Sequence, residues 1–164
     1  MEKPTICRYC GSPVVFTSNA EIYGREYGDG KCYLCRNCKA FVGVHPGTDT
    51  PLGTLANAEL REWRKQAHYW FDQIWRKPLR ITTRYKAYGW LAEQLHISRE
   101  YTHIGMFEKE ECEETIRLSK IRIEKYKKEY CTRCKNKNKN DCEIRVFANC
   151  ETVCTKCVYY EQED

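Results

Sequence analysis

An α+β fold is predicted by three features of this chain. Its twelve cysteines are grouped at the two ends, with Cys112 alone in the middle. Its first 46 residues are β-rich and broken by glycine. Between the cysteine clusters run three stretches of helical apolar periodicity. Together they predict a small ribbon of short antiparallel strands packed on a helical core, followed by a second cysteine-rich module.

The cysteines carry the chemistry. Cys7-x2-Cys10 and Cys35-x2-Cys38 stand 24 residues apart, and Cys131-x2-Cys134 and Cys154-x2-Cys157 stand 19 apart. A two-residue gap lets two thiolates of one tight turn reach the same tetrahedral ion, and two such turns close a four-thiolate zinc site. The C-terminal gap falls within the usual zinc spacing of roughly 15–20 residues. About two zinc ions per chain are therefore expected, one per module. A disulfide framework is the competing explanation of an even cysteine count. Against it, MEKPTICRYC holds no apolar signal segment. No apolar run approaches the ~18 residues of a membrane span. A cytoplasmic, reducing location follows as the expectation, and there thiols bind metal more often than each other.

Charged residues make up 31% and apolar residues 41%, a globular composition. The net charge of +5 is too small for a histone-like binder, but it is concentrated. Arg76, Lys77, Arg80, Arg84 and Lys86 follow one another with no acid before Glu93. Such a patch suits phosphates or an acidic partner, and equally suits a solvated loop between helices.

Element by element, residues 1–46 read as a zinc ribbon. Strands are expected at Val14–Ser18, Lys31–Cys35 and Ala40–Val44, with a turn at Gly24–Gly30. Residues 47–107 form the helical part. A helix from about Asn57 to Arg76 buries Leu60, Trp63, Ala67, Trp70 and Ile74, with Phe71 and Trp75 widening the stripe, and Lys77-Pro78 stops it. A second runs from the N-cap Thr83 to about His96, burying Ala87, Tyr88, Leu91, Ala92 and Leu95. Tyr101–Phe107 reads as a loop or short strand. Residues 108–130 form a connecting helix, with Cys112, Ile116, Ser119, Ile123, Tyr126 and Tyr130 in a heptad-like seam. Residues 131–164 form the C-terminal module, whose Lys135, Lys137 and Lys139 add charge to a polar loop.

Catalysis is not expected. Four thiolates leave no open coordination position. No H-E-x-x-H, G-x-S-x-G or phosphate-binding loop is present, and no deaminase pattern. His45 with Asp49 in a Gly/Pro loop, and His68 with Asp72 at i and i+4, are the pairs that could share an ion; a turn histidine and a surface helix pair explain them as well.

The first 107 residues resemble a family of small phage and prophage proteins described as zinc-finger-containing, with no assigned function. The resemblance rests on Tyr9-Cys10-Gly11-Ser12, on Cys35 through His45, on Gly47 through Leu60, on Ala87-Tyr88-x-Trp90-Leu91-Ala92 and on His103 through Phe107. It implies Cys7, Cys10, Cys35 and Cys38 as zinc ligands, with Cys32 an extra thiol. The C-terminal module also resembles short cysteine stretches appended to phage reading frames, a pattern that would make Cys142 a ligand beside Cys131, Cys134 and Cys157. Spacing alone prefers Cys154 to Cys142, so both stay open. The expected role is non-enzymatic: weak, sequence-tolerant binding of DNA or RNA in the host cytoplasm, or, as the alternative, inhibition of a host defence protein.

Overall fold

A computed structural model describes residues 2–130 of the chain apart from Asp29 and Pro78. The expected C-terminal module lies outside the described residues, and with it Cys131, Cys134, Cys142, Cys154, Cys157, Lys135, Lys137 and Lys139. The chain divides into two compact units. Among the described residues, one comprises residues 2–65 and 103–112, the other residues 66–102 and 113–130.

The first unit is built on a three-stranded antiparallel sheet in the order β1 (Val14–Ser18), β2 (Lys31–Cys35), β3 (Phe41–Gly43). Val15 lies opposite Leu34, and Tyr33 lies opposite Val42. Successive strand residues point to opposite faces. β2 is buried on both: Tyr33 and Cys35 join a core of Cys7, Ala40, Val42, Val44 and Leu55, while Cys32 and Leu34 are covered on the other face. One helical turn, α1 (Ala20–Tyr23), interrupts the β1–β2 connection and ends at Gly24 in the left-handed conformation. Asn19 closes that connection, since its side chain both accepts from the Tyr27 N–H and donates to the Tyr27 carbonyl.

Two further features tie this unit together. Gly53 lies so close to Gly105 that a side-chain carbon on Gly53 would sit 1.8 Å from the Gly105 carbonyl oxygen. Beside it the Thr54 N–H donates to that same carbonyl at 2.9 Å. Arg64 is buried within α2 (Ala58–Asp72), its Nε donating to the Phe107 carbonyl and its two terminal nitrogens to the carbonyl and hydroxyl of Thr54.

In the second unit the later part of α2 buries Ala67 and Phe71, and Ile74 and Leu79 follow into the core. α3 (Arg84–Leu95) contributes Ala87, Tyr88, Leu91 and Ala92, with Tyr88 edge-on to Phe71 at 4.8 Å. The Thr83 hydroxyl accepts the Lys86 N–H as N-cap, and His96 ends the helix in the left-handed conformation. α4 (Lys109–Tyr130) buries Thr115, Ser119, Ile123 and Tyr126 here. No helix among the described residues is long and apolar enough to cross a membrane.

Several expectations need correction. The buried stripe of α2 includes Arg64 beside the expected Leu60, Ala67 and Phe71, and Trp63 and Trp70 flank it half-buried. α2 ends at Asp72 in tighter turns, ahead of the Lys77-Pro78 stop. In α4 Thr115, not Ile116, takes the buried seam position. Tyr101–Phe107 is neither plain loop nor strand: single 3-10 turns occupy Arg99–Tyr101 and Ile104–Met106.

Candidate metal centre

The two knuckles of the ribbon are the same turn made twice. In the first, the Gly11 N–H donates to the Cys7 carbonyl at 2.9 Å and the Cys7 N–H to the Ser12 carbonyl at 2.8 Å. In the second, the Lys39 N–H donates to the Cys35 carbonyl at 2.9 Å and the Cys35 N–H to the Ala40 carbonyl at 2.8 Å. The residue after each second cysteine is left-handed, Gly11 at φ 70° and Lys39 at φ 61°. Such a turn presents two sulfurs on one side, and β2 and β3 hold the second turn beside the first.

The outcome is a cluster. The sulfurs of Cys7, Cys10, Cys35 and Cys38 all lie within 4.8 Å of one another. The Cys7–Cys38 and Cys10–Cys35 sulfurs are 3.4 and 3.5 Å apart. Four sulfurs bound at ~2.3 Å to a tetrahedral ion would lie about 3.8 Å apart. Cys7 and Cys35 are buried and Cys10 and Cys38 are at the surface, so the centre has an inner and an outer edge.

Its electrostatics suit a cation. The Ser12 hydroxyl, with the Ser12 N–H, Asn37 and Cys35, draws the Cys10 thiol down to about 5. The Ala40 N–H pulls Cys38 the same way, but lost hydration and the thiols of Cys7, Cys35 and Cys10 push it up to about 12. Four adjacent thiols do not all ionise by themselves; a divalent ion among them removes that obstacle and holds every one as thiolate. The donor set fits zinc, in a closed site of structural type. Ser12 and Asn37 support the cluster without being ligands. Both sit within or beside the cysteine motifs, yet nothing in the sequence marks them as partners of Cys10.

Cys32 is not part of this cluster. It is fully buried in β2 between Thr17 and Gly43, and burial, then the Glu21 charge, raises its thiol pKa. Cys112 is likewise a buried core thiol, pushed up to about 12 by desolvation. Among the described residues the four ribbon cysteines are the group able to hold a metal ion.

The remaining candidates fall elsewhere. Asp49 is ion-paired with Lys3, and its carbonyl accepts the Tyr33 hydroxyl at 2.8 Å. The His45 N–H donates to the Thr50 carbonyl within the same loop. His68 Nδ1 lies 3.5 Å from Asp72, which also faces Arg76 at 3.3 Å, a helix-surface arrangement. The basic stretch is exposed at Arg76, Lys77, Arg80, Arg84 and Lys86. Two of its members also have partners within the unit. Arg76 lies 4.7 Å over the Trp75 ring, and Arg84 lies 5.4 Å from both Trp75 and Tyr88.

Fold and site together define a small α+β protein organised around a four-cysteine metal centre. The chain belongs to a family described as a zinc-finger-containing domain, which matches residues 3–122. No curated protein and no solved structure gives a significant match.

Proposed function

We propose that the ribbon's zinc is structural and that the protein works as a non-catalytic binding module for nucleic acid, of a phage-encoded type acting in the host cytoplasm. The observation that carries this reading is the all-cysteine centre. With four thiolates around one ion, no coordination position is left for substrate or water, so the metal serves folding. Function then falls to the surface. The exposed cations from Arg76 to Lys86 equal the whole formal excess charge; Arg76 pairs with Asp72, and Lys77, Arg80, Arg84 and Lys86 form no ion pair among the described residues, as a phosphate-contacting patch requires.

Binding to labelled DNA and RNA across a salt series tests this. Affinity is expected to fall steeply with salt, and Arg80→Glu with Arg84→Glu and Lys86→Glu to abolish it on every sequence, with each lost phosphate contact flattening the log–log slope by roughly one. Wild-type protein that binds neither DNA nor RNA at low salt removes the reading. A host protein is then the partner, and a groove of about 470 Å³ lined by Ile81, Trp90, Leu118, Ile121 and Tyr126 favours that second reading. Zinc counting by native mass spectrometry is expected to give two ions per chain, one at Cys7, Cys10, Cys35 and Cys38 and one in the C-terminal module. No hydrolase, nuclease or deaminase turnover is expected.

A further inference from the structure

We propose that the ribbon carries a second contact surface, Tyr23, Tyr27 and Phe41 framed by Arg25, Lys39 and Arg61, on which the unpaired bases of single-stranded nucleic acid stack. This rests on the nucleic-acid reading above and assigns base contact to a different part of the chain from the basic stretch.

The surface is aromatic, rigid and half in water. Tyr23 and Tyr27 are 51% and 48% exposed, so both rings present apolar surface to water. Tyr23 meets Tyr27 edge-on at 5.2 Å and Phe41 edge-on at 5.9 Å, so each ring fixes the next. The backbone beneath is fixed too, because the Asn19 side chain holds Tyr27 through both its N–H and its carbonyl.

Cations frame the rings. The Arg25 guanidinium lies 4.7 Å over Tyr27 and donates to its hydroxyl. That of Arg61 lies 4.0 Å over Phe41, with Nη1 donating to the Ala56 carbonyl and, at 3.4 Å, to that of Lys39. The neighbouring carboxylates point to other donors: Glu21 takes Arg36 and the Thr17 hydroxyl, and Glu26 takes the Ser18 hydroxyl. Arg25 and Arg61 form no ion pair among the described residues, and Lys39, whose charge also acts on Glu21, adds a third cation at the edge of the aromatic face. Stacking rings beside cations are what sequence-tolerant single-strand binding uses. A duplex hides its base faces and would gain only the phosphate contacts. Lys39 belongs to the second metal knuckle, so metal loading holds one edge of the surface in place.

The test uses the zinc-loaded full chain with fluorescent oligo-dT and oligo-U, a blunt duplex, and an abasic strand of equal length that keeps the phosphates. Both single strands are expected to bind tighter than the duplex and the abasic strand, and a difference between dT and U tells whether DNA or RNA is the better ligand. Tyr23→Ala and Tyr27→Ala are each expected to weaken single-strand binding roughly fivefold to a hundredfold while leaving the abasic strand unaffected. Tyr27→Phe keeps the ring and is expected to retain binding, which guards against loss through misfolding. Iodouracil crosslinks are expected on the peptide holding Tyr23 and Tyr27. Alanine variants that keep zinc and bind single strands like the wild type overturn the proposal, as do crosslinks confined to other segments. If the Arg80, Arg84 and Lys86 changes abolish binding at the same time, the nucleic-acid reading stands and only this surface falls. A wild type that binds no strand at all removes both.

Discussion

Lys39 occupies at the second knuckle the left-handed place that Gly11 occupies at the first. That conformation costs an ordinary L-residue about 1–2 kcal/mol, and glycine nothing comparable. Part of the gain from inserting glycine is returned through the looser unfolded chain. Lys39→Gly is therefore expected to stabilise the zinc-loaded protein by about 0.5–1 kcal/mol in urea titration. Gly11→Ala is expected to destabilise it by about 1 kcal/mol, through backbone strain alone, since no atom lies within 4 Å of the added methyl. Arg64 is the opposite kind of residue, a charge kept inside by three hydrogen bonds. Burial lowers its pKa, yet a guanidinium remains charged at any working pH. Arg64→Ala leaves the Phe107 and Thr54 carbonyls without that donor and is expected to cost about 2–4 kcal/mol. Lysine is not expected to rescue it, because one ammonium cannot reproduce the fork that spans two residues. Melting temperatures of the three proteins at matched zinc content check both statements.

α3 shows two sequence signals in conflict. Thr83 caps the helix as its position predicts, yet the first turn holds Arg84 and Lys86 and no acid. Cations there oppose the positive end of the helix dipole. Thr83→Asp supplies a cap and an opposing charge, and is expected to raise stability by about 0.5–1 kcal/mol while weakening nucleic-acid binding. A variant that gains stability and keeps full affinity would separate the basic stretch from phosphate contact. Elements with strong local signals were legible in this way. β1 and β2 match their β-rich runs, and α3 has both a cap and a periodic face. The misses came from tertiary partners. Arg64 sits four residues after Leu60 and three before Ala67, the spacing of a buried face, but a charged side chain reads as solvent-facing until its carbonyl partners from residues 54 and 107 are in place. Thr115 in α4 poses the same problem: a hydroxyl in an apolar seam has no signature of its own, whereas Ser119, also buried, was placed there by its spacing from Cys112 and Ile123. α1, at one turn, is too short for any period to show.

For the whole molecule, metal is the decisive variable. The ribbon cysteines were legible because ligand spacing is a covalent property of the chain, and the four predicted ribbon sulfurs do converge. The partners Ser12 and Asn37, and the internal contacts of Arg76 and Arg84, were not legible, because they depend on where remote backbone goes. Removing zinc with a chelator is expected to strip amide protection from residues 31–44, where five of the core residues and the ligands Cys35 and Cys38 lie, while protection in α3 persists. Cys7→Ser and Cys38→Ser are expected to reproduce that pattern, and Cys112→Ser to leave zinc content unchanged. Hydrogen exchange followed by mass spectrometry reads the first three cases and native mass spectrometry the zinc content of the fourth, and undiminished protection of β2 without metal would contradict the first three.

The first unit draws on two distant stretches of the chain, residues 2–65 and 103–112. During synthesis these arrive at different times. All four ribbon thiols have emerged once residue 38 clears the ribosome, whereas Gly105, which Gly53 abuts, and Phe107, which Arg64 holds, come some seventy residues later. At roughly 5–20 residues per second, that interval lasts seconds. The nascent ribbon would thus have time to capture its ion before the segment that completes its own unit exists, and the loaded knuckles would be the template onto which that late segment closes.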